Sequence, residues 1–350
     1  MDFRAPPPSP VASARRSSLP LNDDVFRQFL DTSLRVPNIN NHSHPPPMVD
    51  FRFLCSDHAL RHVVSDSLAT VGCFQLLNHG IPPDLIASPA ESAIGIFQVP
   101  PEKRAGAKRS VENPWGFEEE DAEENDNENE NGLSQEFVWG RDTNFNLKME
   151  TLCPTGYSNF SKKMDTLMSR IEKVAEKILA VIIEDSPKKF VDIIGGHERG
   201  TLCCVYKHGQ DNMAGQCAKS LKYDVIRMLV RGNDYSHSLC LHVCDASSQF
   251  QLYSKKGWLS FFPEKGALII TSGDQIQILS EGHYKHVIGR PIFKGEKGNC
   301  ISMVFLYSPP NNKNNFQTSR ETTISLALQA TLAMILTLVY HVLIYFYKMF

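Results

Sequence analysis

Histidine and cysteine are the residues of this chain best suited to chemistry, and several lie close together. Cys240, His242 and Cys244 alternate in the run Cys-Leu-His-Val-Cys. Successive side chains of a β-strand point to opposite faces, so all three would share one side. Thiol and imidazole donors on one face could hold a transition metal. The plainer reading of a cysteine is a small core residue. His237 stands just upstream, and His283 and His286 follow some forty residues later. Nine cysteines, an odd number in 350 residues, include no C-x-x-C pair. That argues against a zinc ribbon and for reduced thiols in a cytosolic fold. The chain has no Gly-rich phosphate loop, nucleophile elbow or H-E-x-x-H motif.

These residues need elements to hold them. Residues 1–47, rich in Pro, Ser and Ala, read as a disordered arm, with no apolar core of a secretory signal. From Met48 the chain becomes globular. Apolar spacing predicts a helix from Phe51 to Ala69, then a strand through Gly72 to Ile81, with Pro82-Pro83 opening another helix. Met164, Leu167, Ile171, Val174, Ile178 and Ile182 recur at three- and four-residue spacing, which predicts a long amphipathic helix from Ser161 to Ile183. Beyond Thr201 short β-rich runs alternate with turn residues: 202–206, 239–244, 250–253, 258–262, 267–271, 275–279, 284–288 and 302–307. Such spacing argues for a sandwich or barrel of antiparallel strands.

Two segments differ from the rest. Residues 118–132 are an acidic low-complexity run that reads as a solvated loop insertion, with a protein partner docking there as the lesser reading. From Ile324 to Phe346 no residue is charged. As a helix this stretch would span roughly 34 Å, enough for a bilayer core. Tyr340, Tyr345 and Tyr347 suit an interfacial belt, and Lys348 can snorkel. We expect one C-terminal transmembrane anchor, with the folded part in the cytosol and the organelle undetermined. The formal net charge of −3 with 21% charged residues gives no general attraction for nucleic acid, and the slightly negative mean hydropathy excludes a multi-span transporter.

Four motifs in order bring a family into view. Val71-Gly-Cys-Phe-Gln-Leu-Leu-Asn-His-Gly-Ile-Pro82 resembles the N-terminal signature of the plant 2-oxoglutarate and Fe(II)-dependent dioxygenases, the group of gibberellin oxidases and ACC oxidase. Gly257-Trp258 with Pro263 to Ile270, Gly273 to Val287, and Ile301 to Pro310 are similar to later motifs of that family. The resemblance covers roughly residues 48–310. It implies an α+β fold with a double-stranded β-helix (jelly-roll) core and flanking helices. The organisation expected is a disordered arm at 1–47, a dioxygenase-like α/β region at 48–200, a jelly roll at 201–310, a linker at 311–323 and the anchor at 324–346. His79 is a fold marker within the first motif, and Tyr206 resembles a family tyrosine near the co-substrate.

The resemblance also implies an Fe(II) site of two histidines and a carboxylate, and here the sequence departs from it. A gapless comparison puts the H-x-D motif on Asn233-Asp234-Tyr235; a gapped one puts it on His237-Ser238-Leu239. The distal histidine falls on Gly289, with His286 three residues away and expected on the opposite face of a strand. The R-x-S motif that pairs with the 2-oxoglutarate carboxylate falls on Cys300-Ile301-Ser302. On the gapless reading the metal-triad positions Asn233, Tyr235 and Gly289 are all substituted; the gapped reading keeps His237 and loses the carboxylate at Leu239. The co-substrate position Cys300 is substituted and Ser302 is kept.

The expectation is a membrane-anchored, catalytically degenerate relative that binds or regulates, with no catalytic residues, no cofactor and room for a small-molecule ligand in the jelly roll. The alternative is an active oxidoreductase using Fe(II) and 2-oxoglutarate through a rearranged site. That site would recruit His237, His242, His283 or His286, with Asp245 as a carboxylate. His208 reads as a solvated turn residue and Asp274 as a turn former.

Overall fold

The computed structural model describes residues 45–110, 113–118, 135–154, 156–186, 200–208, 235–244, 248–254, 257–292 and 300–309. Contacts divide the chain after Asn311, and all described residues belong to the first unit. The expected anchor at 324–346, the acidic run after Glu118, and residues Asn233, Asp234 and Asp245 lie outside the described residues. No helix among the described residues is long and apolar enough to cross a membrane.

The predicted amphipathic helix is the spine of the first unit. It runs Tyr157–Asp185 (α5 below), and all six periodic residues named above are buried. Each such side chain contributes about 1.5–3 kcal/mol when removed from water. Shorter helices precede it: α1 at His58–Thr70, α2 at Pro83–Ile96, α3 at Pro101–Arg104 and α4 at Thr143–Leu152. α5 packs against α1, α2 and α4 and against the strands behind them. The first helix begins at His58, not at Phe51, because the Asp57 carboxylate accepts the backbone N–H groups of Ala59 and Leu60 and caps it there.

Eleven described strands form two sheets. They are β1 Met48–Asp50, β2 Cys73–Leu77, β3 Gly116–Phe117, β4 Gln135–Trp139, β5 Leu202–His208, β6 Leu239–Val243, β7 Gln249–Ser254, β8 Gly257–Phe261, β9 Leu268–Ser272, β10 Ile288–Ile292 and β11 Cys300–Tyr307. The large sheet runs β1-β2-β9-β6-β11-β5-β4-β3, and the small one runs β10-β7-β8. Every pair is antiparallel except β1 with β2. This is a jelly-roll-like α+β fold. Strands from before and after residue 200 share the large sheet, so that boundary marks a change of sequence character within one sheet. Cys73, Phe250, Leu252, Phe261, Ile269 and Val287 form a second apolar cluster apart from the main core.

Two predicted strands are corrected. Asp274–Leu279 is a short helix, α6. Alternating Ile276 and Ile278 imitate a strand, but Ile276 is buried and Ile278 is 69% exposed. Gly273 permits the helix start: a Cβ there would lie 2.1 Å from the His237 carbonyl oxygen. Residues 284–287 are not a strand, and β10 begins only at Ile288. The described cysteines all carry free thiols.

Candidate functional site

Strands of both sheets line a half-open cavity of about 50 Å³, with Tyr206, His237, Cys240, His242, His286 and Gly289 among its lining residues. Pockets that hold small-molecule ligands are usually about 300–1,000 Å³. Strand β6 supplies Cys240 and His242, two residues apart and hence on one face, as their alternation predicts. His237 precedes β6 and is pinned from three directions. Its N–H donates to an Asp274 carboxylate oxygen at 2.8 Å, Nδ1 lies 2.8 Å from the Tyr235 carbonyl, and Nε2 lies 3.0 Å from Cys240 Sγ. Asp274 is therefore more than a turn former, for Ser236 Oγ also donates to it at 2.6 Å. Burial opposes a charge on His237, yet the Cys240 sulfur, the Tyr235 carbonyl and Asp274 together push the imidazole up to about 9. Both ring nitrogens have partners, which leaves no lone pair of His237 facing the cavity.

His242 differs. Its Nε2 meets Thr271 Oγ1 at 3.1 Å, while its buried Nδ1 has no hydrogen-bond partner among the described residues. Burial, and after it the charge of His237, hold this imidazole down at about 3. His286 was expected to face away from the site. It lines the cavity instead, its ring 5.9 Å from that of His237, because strand alternation does not apply before Ile288. Burial and the same neighbour lower it to about 4. His283 is exposed against Tyr284 and does not line the cavity.

The distal-histidine position has been filled from across the sheet. Gly289 on β10 pairs with Leu252 on β7. A Cβ at Gly289 would lie 2.6 Å from two atoms of the Phe250 ring and 3.1 Å from Leu252. Phe250 is fully buried, 5.1 Å from the His242 ring and 5.6 Å from Phe261. Tyr235, at the other triad position described, is buried and donates its hydroxyl to the Gly200 carbonyl. Nothing in the sequence announced Phe250 as the occupant. Its place follows from the β7–β10 register, which a single strand does not reveal.

The co-substrate positions are likewise committed. Cys300 pairs with His208 and Ser302 with Tyr206 across β11 and β5. Ser302 Oγ lies 2.7 Å from His208 Nε2. His208 is thus a strand residue, not a solvated turn, and burial followed by the charge of Arg290 lowers it to about 3. His79 is structural as expected: its Nδ1 accepts the Ile81 N–H and its Nε2 meets the Gly266 carbonyl.

The described lining of the cavity offers histidines but no carboxylate and no arginine, so it does not reproduce an Fe(II) and 2-oxoglutarate site. The described side chains of the cavity leave His242 Nδ1 without a partner beside the His286 imidazole, and the Phe250 ring packs against the position of the expected distal ligand. Among the described residues, the one group of three metal-ligand side chains lies elsewhere, on the helices.

Comparisons with known proteins agree with the architecture. Residues 47–151 match the family described as non-haem dioxygenase in morphine synthesis, N-terminal. The 1-aminocyclopropane-1-carboxylate oxidase of Musa acuminata is 24% identical over 271 residues, covering 75% of this chain and 82% of that protein. Flavanone 3-dioxygenase 2 of Oryza sativa subsp. japonica is 26% identical over 261 residues, 71% of this chain and 69% of that one. Among solved structures, the dioxygenase for auxin oxidation 1 of Arabidopsis thaliana, bound to 2-oxoglutarate, superposes with a TM-score of 0.55 at 16% identity over 76% of this chain and 94% of its own.

Proposed function

We propose that this chain, which belongs to the 2-oxoglutarate/Fe(II)-dependent dioxygenase superfamily, is a catalytically inactive member that acts as a binding or regulatory protein on a membrane. The observation that carries the reading is Gly289 packed against Phe250: the distal metal position has no side chain and no room for one. The engagement of both His237 nitrogens and the commitment of Ser302 to His208 support it. No cofactor is then required. The uncharged segment at 324–346 supports anchoring, with the folded part in the cytosol. A small-molecule ligand within the jelly roll must be only a few atoms in size or must displace Phe250. The acidic run at 118–132 reads first as a solvated loop insertion, with docking of a basic protein partner as the lesser reading.

The test is iron content and 2-oxoglutarate affinity of the purified full chain after reconstitution. The reading expects substoichiometric iron and no saturable 2-oxoglutarate binding. One Fe(II) per chain with micromolar 2-oxoglutarate affinity would overturn it. For the anchor, a fluorescent fusion truncated after Asn315 should leave the membrane pellet.

A second reading rests on the unpartnered Nδ1 of His242. With His286 on the same cavity, it could support an active oxidoreductase whose metal site has been rearranged. That reading requires 2-oxoglutarate decarboxylation that disappears in His242→Ala. Decarboxylation at background level in the unmodified chain excludes it.

A further inference from the structure

A cluster the jelly roll does not use stands at the junction of α1 and α5. His58 is the first residue of α1, and His62 follows one turn later. Residues four apart share a helix face, and the two rings have centroids 4.9 Å apart. Asp185, the last residue of α5, faces them, its Oδ2 3.3 Å from His62 Nδ1. One donor atom from each of the three lies within 4.8 Å of the other two. The imidazoles are exposed and the carboxylate is not: the side chains of His62 and Asp185 are 64% and 9% accessible. A nearly buried carboxylate beneath two exposed imidazoles leaves a coordination site that solvent can reach.

The surroundings hold the geometry in place. Arg61, between the histidines in sequence, pairs with Glu184 at 2.7 Å and donates to the Cys55 carbonyl, so the start of α1 is already clasped to the end of α5. The carboxylate also stands at a helix C-terminus, where backbone carbonyls favour a cation.

We propose that His58, His62 and Asp185 form a binding site for a divalent first-row transition ion, Zn²⁺ foremost, that staples α1 to α5. Two imidazoles and one carboxylate suit zinc and its neighbours, whereas calcium and magnesium prefer all-oxygen sets. Three protein ligands leave a fourth position for water. Imidazoles four apart on a helix need only a rotamer change to close on one ion. The ion joins residues more than 120 positions apart. Its effect is therefore on the helical layer, independent of whether the jelly roll turns over a substrate. His58 and His62 escape a sequence search because their carboxylate partner is so distant.

The purified full chain, stripped with a chelator, is titrated with Zn²⁺ by calorimetry and with Co²⁺ by visible absorption. The proposal expects one site with a d–d band of low coordination number, and a thermal midpoint raised by Zn²⁺. His62→Ala and Asp185→Asn should each weaken binding by at least about tenfold and abolish the thermal shift. The pair His242→Ala/Cys240→Ala, which removes the two donors that β6 gives the jelly-roll cavity, should leave both unchanged. Circular dichroism without metal checks that each variant folds; His58→Ala, at the exposed first turn, serves as the third ligand variant. Undiminished binding in His58→Ala/His62→Ala overturns the proposal, as does its loss in the jelly-roll pair or no Zn²⁺ binding by the unmodified chain.

Discussion

The helical layer with its spine and the cavity lined by strands of both sheets differ in what each position must do. In the first, Phe160, Met164, Leu167, Ile171 and Ile178 are all buried along α5, and each is one of many apolar contributors. Replacing any of them by another residue of similar size leaves the layer recognisable. Around the cavity, single positions carry single tasks. On the proposed reading, Gly289 in place of a histidine or Cys300 in place of an arginine removes a role that rested on one side chain. Burial is spread over dozens of side chains, whereas coordination rests on three or four. Fold and site can therefore diverge, and on the proposed reading weak similarity over most of the chain coexists with a cavity that has lost the family's metal.

The largest break in that comparison comes from the spine. Phe160→Ala should cost about 3–5 kcal/mol, read as a lower denaturant midpoint. A cost below about 1 kcal/mol would mean that α5 is not the centre of the core. Next comes an attempt to restore the site. Gly289→His meets Phe250 at 2.6 Å and should cost about 1–3 kcal/mol through overpacking. Combining it with Phe250→Ala should recover part of that loss in a double-mutant cycle. Additive losses would show that the two positions do not share space.

The buried histidines set a third, pH-dependent test. An unfolded histidine takes up its proton near ~6.5. His242 and His286, lowered to about 3 and about 4 by burial and then by the charge of His237, favour the folded state above that value. Their contribution disappears as pH falls from there through their folded values. His237, raised to about 9 against the opposing effect of burial, favours the folded state fully below ~6.5. Its contribution is lost as pH rises through its folded value. The urea midpoint should fall on both sides, and His242→Gln should flatten the acid limb alone. An acid limb identical in that variant removes His242 from the account. The smallest effect belongs to the surface: Arg61→Gln, breaking the pair with Glu184, should cost about 0.2–1 kcal/mol and less at high salt.

Much of the architecture was legible from periodicity. The six apolar positions of α5 and most of the β runs stand where their spacing put them, because burial imposes those periods directly. Residues 275–279 misled because alternation over so short a run fits one helical turn with a buried Ile276 as well as it fits a strand. His286 misled because strand alternation does not hold before β10 begins at Ile288. At the site, substitution at Gly289 and Cys300 was plain once the motifs were aligned. What fills the space was not. Phe250 against Gly289, His208 against Ser302 and Cys240 against His237 are contacts between segments, and no local pattern encodes who stands opposite.

The order of the large sheet carries a consequence for synthesis. β11 is the last described strand to leave the ribosome, yet it lies between β6 and β5. Until it arrives, the described strands of that sheet form two separate pieces, β1-β2-β9-β6 and β5-β4-β3, whose unpaired edges face each other across the gap. A nascent chain stalled before Cys300 would hold two open templates for strand addition, with the non-local pairings that slow folding still to be made. Closure of the sheet is thus timed to the end of translation of this unit, and truncation just before β11 should yield aggregation rather than a smaller stable domain.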